Sequence, residues 1–239
     1  MKWYGKYFKV GILFSRAGIA TQILLSAGND LFLVDTGDGT LRDLIQQNID
    51  LNRIKAIFFT HGHADHVSGL FAVLSQFRNM ERMQKVEIVY PEGTTSIAHI
   101  IQVFKKSISQ TLFSIGCQQI STSQTIQVSG ITMKAYQMTH YAAVGHHKLL
   151  YPDIAMGYRF SFEGESIAIT GDTGLCQNLK DLVKGVDIAL IDSTLQDFEV
   201  TEERVNKLHL SEQKAREIGK LCRLYIPIHS SSPESNSID

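Results

Sequence analysis

Aromatic, β-branched and apolar residues fill the stretches Tyr7 to Phe14 and Ile19 to Ser26, and a third run, Leu31 to Val34, ends at Asp35. Runs of this composition predict an opening β-meander. After a Thr36-Gly37-Asp38-Gly39 turn, Leu41, Leu44 and Ile45 recur at helical spacing as far as Asn48, and Ile54 to Phe59 is continuously rich in apolar residues. The order is strand, helix, buried strand. The same grammar predicts a helix over Val67 to Phe77, a strand at Val86 to Tyr90 and, after a Pro91-Glu92-Gly93 turn, a helix over Thr95 to Phe104 with Ile97, Ile100, Ile101 and Phe104 on one side.

Beyond Gln118 the pattern turns to β, with strands expected at Ile120 to Val128, Ile131 to Met138, Gly157 to Phe162 and Ser166 to Thr170, the middle two separated by a His- and Gly-containing loop. The last third returns to α/β: helix Leu175 to Val183, strand Asp187 to Ile191, helix Ser211 to Leu221, strand Leu224 to Ile228. No internal repeat is visible, and the tail after Ser230 is expected to be irregular. Two β-rich halves that each carry helices can bury their apolar faces by stacking sheet on sheet under outer helices. The expectation is α/β class: one domain over 1–239, a four-layer αββα sandwich with two mixed sheets and its loop-borne polar residues along one edge.

Composition narrows the partners. With 23 Lys+Arg against 24 Asp+Glu the net charge is -1, so no overall positive excess attracts nucleic acid and any such contact is local. Lys105-Lys106 and Lys207 are too sparse for a groove and read as solvated helix faces. Hydrophobic residues make up 44% of the chain, which excludes a disordered tail or linker. Apolar runs such as Ala56 to Phe59 fall far below the ~18 residues of a membrane span, and the N-terminus lacks the order of a signal peptide, so a cytoplasmic chain with no membrane partner is expected. Cys117, Cys176 and Cys222 are widely spaced with no CxxC pair, which predicts buried reduced thiols rather than disulfides or a cysteine zinc site.

The chemistry is concentrated in Thr60-His61-Gly62-His63-Ala64-Asp65-His66, a turn between a buried strand and a helix. A solvated polar loop is the simpler alternative, but four ligand-type side chains in six residues is dense for one. Neutral imidazoles and a carboxylate suit zinc and neighbouring first-row metals, whose short bonds demand several converging ligands. Gly62 is expected to permit the tight turn.

This turn resembles the metal-binding turn of the metallo-β-lactamase-fold superfamily, and matches to the family's other motifs follow in order: Asp35 in Leu-Val-Asp-Thr-Gly-Asp-Gly-Thr, His140 after the strand at Met133 to Met138, Asp172 in Ile-Thr-Gly-Asp-Thr-Gly, and His229 in Ile-Pro-Ile-His-Ser. The resemblance spans residues 7 to 230. In motif detail it is most similar to ribonuclease Z and related metal-dependent phosphodiesterases: Asp35-Thr36-Gly37-Asp38-Gly39-Thr40 resembles their Asp-x-Gly-x-Gly-Thr, and Met156-Gly157-Tyr158-Arg159 their Leu-Gly-Tyr-Arg. Asp192-Ser193-Thr194 and His209-Leu210-Ser211 match the His-Glu-Ala-Thr and His-Ser-Thr elements in part, with Ile191-Asp192 where His-Glu is common. Phe14-Ser15-Arg16-Ala17-Gly18 replaces a Gly- and Pro-containing family loop, which points to a different substrate opening.

The resemblance implies a dinuclear-metal-dependent hydrolase. His61, His63 and His140 would hold one divalent ion, Asp65, His66 and His229 a second, and Asp172 would bridge them, with zinc expected and manganese or iron as alternatives. The nucleophile would be a metal-bridging hydroxide, not a side chain, and Asp65 would count among the catalytic residues as well as the ligands. Asp35 would orient a ligand histidine, and His209 would protonate the leaving oxygen while Asp192 holds its tautomer. A phosphodiesterase of ribonuclease Z-like type is the expected activity. A lactone or thioester hydrolase on the same scaffold is the alternative, and a non-catalytic, metal-stabilised binding module is disfavoured because no ligand position is lost. His146 and His147 belong to a solvated loop or line the substrate entrance; His99 and Cys176 receive no role. Expected partners are a small or cyclic phosphodiester or a short RNA, and a second copy of the chain, since relatives of this type often form homodimers. Many bacterial ribonuclease Z enzymes carry a long tRNA-reaching arm between the third and fourth metal motifs; here only 31 residues separate His140 from Asp172, so efficient tRNA binding is not expected.

Overall fold

In the computed structural model, which describes residues 1–108, 110–144, 148–196, 198 and 200–231, the opening apolar runs pair as an antiparallel meander. Its strands are β1 (Lys2–Tyr4), β2 (Phe8–Arg16), β3 (Ala20–Ala27) and β4 (Asp30–Thr36). Three parallel strands extend it, β5 (Ile54–Phe58), β6 (Val86–Pro91) and β7 (Ile115–Ile120), giving the spatial order β1 to β7. Parallel strands need crossovers, and helices supply them. These are α1 (Thr40–Gln46), α2 (Ala64–Val67) with α3 (Leu70–Asn79), and α4 (Thr95–Ser107). Leu33, Ile57 and Ile88 of the sheet share a core with Leu44, Val73, Leu74, Phe77, Ile97 and Phe104 of the helices. Phe32, Val34, Phe58 and Val89, on the alternate positions, are equally buried, which is why the sequence shows unbroken apolar runs instead of alternation. These elements form the first of two compact units, Met1–Ile120; the second is Ser121–Asp239.

The second unit begins with β8 (Thr125–Val128) and β9 (Ile131–Gln137), continues through a separate hairpin of β10 (His140–Val144) and β11 (Lys148–Asp153), and then returns to the main sheet with β12 (Met156–Phe162) and β13 (Glu165–Ile169). After α5 (Gln177–Val183) comes β14 (Ile188–Asp192); α6 (Glu202–Lys207) and α7 (Glu212–Gly219) precede β15 (Leu224–Ile228). The six-stranded order is β15-β14-β13-β12-β9-β8, parallel from β13 to β15 and antiparallel elsewhere. Ala168, Ala189 and Ile191 cluster with Leu179, Leu182 and Val183 of α5 and with Ala215 and Ile218 of α7.

Several expectations are corrected. The strand expected over Ile120 to Val128 is two: Ile120 ends β7, the chain turns through Ser121 to Gln124 with Ser123 in the left-handed region, and β8 starts in the second unit. A cluster of Ser, Thr and Gln is turn chemistry rather than strand interior. The helix expected over Val67 to Phe77 is broken at Gly69, whose N–H donates to the Thr36 carbonyl at 2.8 Å and whose missing Cβ would sit 2.4 Å from the Gly37 carbonyl oxygen. Most of the stretch expected as a loop between His140 and Pro152 is the β10–β11 hairpin, while His146, His147 and the tail from 232 lie outside the described residues. The thiols are free but not buried: Cys117 is exposed on β7, at the sheet edge, and Cys176 and Cys222 are half-buried. Partial desolvation still pushes the Cys117 and Cys222 thiols up, toward the protonated form. No helix among the described residues is long and apolar enough to cross a membrane.

Among the described residues Arg82 is the largest fully buried side chain. Its guanidinium donates to the carbonyls of Gln84 (2.8 Å), Leu51 (2.8 Å), Ile54 (2.6 Å) and Lys85 (3.2 Å) and lies 4.6 Å from the centroid of Phe77. It thereby ties the start of β5 to the approach to β6. Burial works against its charge and lowers its pKa, with Asp50 opposing the shift. Arg82→Met is expected to lower unfolding stability by about 2–4 kcal/mol, because the stacking volume remains while four carbonyls lose their donor. Urea denaturation measures this, and a variant as stable as the parent would show those carbonyls to be satisfied by water.

Candidate metal centre

In the first unit the site begins with one buried carboxylate. Asp35, next to last in β4, is fully buried and adopts φ 59°. It accepts from the Thr60 amide (2.8 Å to Oδ1), the Thr60 hydroxyl (2.8 Å to Oδ2) and His66 Nδ1 (2.8 Å to Oδ2). Three hydrogen bonds on one anion fix the loop after β5 and the start of α2 together. The Thr60 hydroxyl also lies 3.1 Å from His61 Nδ1. His61 and His63 meet edge to face at 4.5 Å between ring centroids, and His61 and His66 at 4.1 Å. Asp65, the second residue of α2, accepts from the Gly18 amide at 3.0 Å and lies 3.9 Å from His66 Nε2. The four candidate ligands of this turn are therefore gathered.

The glycines around the turn work by closeness. Gly62 is not in the left-handed region, contrary to the expectation of a conformational role; a Cβ there would stand 2.6 Å from Ser96 Oγ and 2.7 Å from Thr94 Cγ2 at the head of α4. At Gly37 a Cβ would stand 2.3 Å from the Asp65 carbonyl oxygen, so the Asp-Thr-Gly turn seats α2.

The second unit repeats the device. Asp192 ends β14 fully buried and accepts from the Thr173 amide (2.8 Å), the Thr194 amide (3.0 Å), the Thr194 hydroxyl (2.6 Å) and His209 Nδ1 (2.8 Å). The Thr194 hydroxyl lies 2.8 Å from Nδ1 of His229, which follows β15 at φ 57°. His140, first residue of β10, directs Nδ1 to the Leu208 carbonyl at 2.9 Å. Asp172 lies beyond β13 with its carboxylate 3.5 Å from His229 Nε2. Asp172, His209 and His229 offer one ligand atom each within 4.8 Å of one another. His140 and His209 pack at 5.0 Å between centroids, and His209 and His229 stack at 5.4 Å.

These donor sets fit a divalent metal. Imidazole nitrogens and carboxylate oxygens are the zinc-type set, and with Nδ1 of His61, His66, His140, His209 and His229 each held by an oxygen, Nε2 is the nitrogen each ring presents for coordination. Sequence reasoning placed Thr60 and Thr194 in their motifs without a role and missed the Leu208 carbonyl. Of these, only Thr60 had a signal in the sequence, its adjacency to His61. Among the described residues no metal-type grouping includes His99 or Cys176.

Comparison with known proteins agrees with this geometry. Residues 21–229 match the family model described as "Beta-lactamase superfamily domain". Ribonuclease Z of Mycolicibacterium gilvum is 29% identical over 184 residues, covering 71% of this chain and 60% of that protein. Ribonuclease Z of Metallosphaera sedula is 26% identical over 217 residues, covering 76% of this chain and 72% of that one. Among solved structures, the short form of human tRNase Z superposes with a TM-score of 0.77 at 21% identity over 92% of both chains. The metallo-beta-lactamase fold protein YhfI of Bacillus subtilis gives 0.74 at 14% identity over 93% of this chain and 86% of that one. With the family match running from β3 to His229 and so taking in both carboxylate-anchored clusters, the chain belongs to the beta-lactamase superfamily and has the metallo-β-lactamase fold.

Proposed function

We propose that this chain is a dinuclear-metal-dependent phosphodiesterase of the ribonuclease Z type. Family membership and relatives named ribonuclease Z support a metal-dependent hydrolase, and the His/Asp clusters support divalent metal binding. The observation that carries the proposal is the pair of buried aspartates: Asp35 holds His66 by Nδ1 and reaches His61 through Thr60, and Asp192 holds His209 by Nδ1 and reaches His229 through Thr194, so that Nε2 is the nitrogen each ring offers, to metal at His61, His66 and His229 and to the leaving group at His209. We assign His61, His63 and His140 to one ion, Asp65, His66 and His229 to the other, and Asp172 to both, with zinc the preferred metal. When bound, two such ions supply a nucleophile from water near neutral pH and offset charge on a phosphoryl group. Asp35 orients His66. His209, its side chain 13% exposed and its Nδ1 on Asp192, is the group assigned to protonate the leaving oxygen.

Relatives named ribonuclease Z support RNA as the substrate class. The 31 residues between His140 and Asp172 are largely taken up by β10 to β13, which supports a small or cyclic phosphodiester or a short RNA over a whole tRNA.

Metal-replete protein is expected to hold close to two transition-metal ions by elemental analysis; one ion or none breaks the dinuclear assignment. Asp172→Ala should deplete both sites and His140→Ala mainly one. His209→Ala should keep its metal yet slow a diester with a poor leaving group ~10²-fold while sparing an activated nitrophenyl ester. Loss of an ion in that variant would instead make His209 a ligand, as its grouping with Asp172 and His229 allows. Assayed beside lactones and thioesters, small diesters should be the better substrates, and precursor tRNA should be cut poorly and unselectively. Efficient, site-specific removal of a tRNA 3′ trailer would overturn the substrate assignment.

A further inference from the structure

We propose that Thr60 and Thr194 are positioning residues, each relaying one buried aspartate's hold to a second histidine and locking His61 and His229 as Nδ1–H tautomers with Nε2 turned to metal. This rests on the metal assignment above. The hydrogens available set the direction of each bond. A hydroxyl has one, and a carboxylate can only accept. Thr60 Oγ1 is 2.8 Å from Asp35 Oδ2 and 3.1 Å from His61 Nδ1. The hydroxyl hydrogen goes to the anion, so only a lone pair of Oγ1 faces the ring, and His61 Nδ1 must bring the hydrogen. His66 Nδ1, 3.5 Å from the same oxygen, has its own direct partner in Asp35 at 2.8 Å.

Thr194 repeats the arrangement at 2.6 Å from Asp192 Oδ1 and 2.8 Å from His229 Nδ1. Its hydroxyl has a competing acceptor, the His229 carbonyl at 2.8 Å, but the carboxylate is both charged and nearer. Each unit thus has one aspartate, one histidine bonded to it directly (His66, His209) and one bonded through a threonine (His61, His229). A neutral imidazole with its hydrogen on Nδ1 has its lone pair on Nε2. Without the hydroxyl the ring can take the opposite tautomer, which cannot coordinate through Nε2.

The test compares Thr60→Val and Thr194→Val, close in volume but lacking the hydroxyl, with Thr60→Ser and Thr194→Ser, which keep it. In metal-free, ¹⁵N-labelled wild type at pH 8, long-range ¹H–¹⁵N spectra of the imidazoles should show His61 and His229 as Nδ1–H tautomers. Zn²⁺ affinity, read by competition with a chromophoric chelator, should fall ~10–100-fold in each Val variant and be largely kept by each Ser variant. An Nε2–H tautomer of either ring in wild type overturns the threonine assignment, and that spectrum decides even where a Val variant fails to fold. Val variants that bind Zn²⁺ as tightly as wild type overturn it too. Wild type that takes up no Zn²⁺ overturns the metal assignment itself, a result distinguishable from the other two.

Discussion

Two carboxylates placed where water cannot reach them govern this molecule. An ionised aspartate in the interior is tolerated only when hydrogen-bonded throughout, and Asp35 and Asp192 meet that demand with amide, hydroxyl and imidazole donors. The demand runs in both directions. Because the anion must be satisfied, the loops that satisfy it are fixed, and the histidines bonded to it directly, His66 and His209, are fixed in orientation with them. Packing sets where the strands end; the anions set what the ends do.

That division explains what could be read from the sequence. Strands buried on both faces announce themselves as apolar runs, so β3 to β6, β13 and β14 were legible within a few residues at either end, and the half-buried β2, β12 and β15 were legible through their aromatic and β-branched residues. The turn from His61 to His66 was legible because one short segment supplies four ligand types. Less visible were elements with ordinary surfaces: β7 carries Cys and Gln at a sheet edge, and the β10–β11 hairpin has a register shift between Tyr141 and Ala143. Helix α6 had its signal, since Thr201 caps the Arg204 amide ahead of Glu202 and Glu203, but the segment is short and mostly polar.

Threonines at the centre were hidden for a different reason. Thr60 matters through Asp35, 25 residues earlier, and Thr194 through His229, 35 residues later. A hydroxyl with one donor and one acceptor partner is a property of three residues at once, and a linear pattern lists them one at a time. The motifs point to the anions and imidazoles; the coupling between them exists only after folding.

Asp35 and His229 both sit in the left-handed backbone region, where glycine is at ease and a branched side chain is not. At each position the hydrogen bonds of the side chain hold a backbone conformation that glycine would adopt more readily. Glycine there would relax the main chain while discarding the carboxylate or the imidazole. The strain at these two positions is therefore set against the hydrogen bonds it permits, and a substitution that removed the strain would also remove the partner around which Thr60, His66 or Thr194 is arranged.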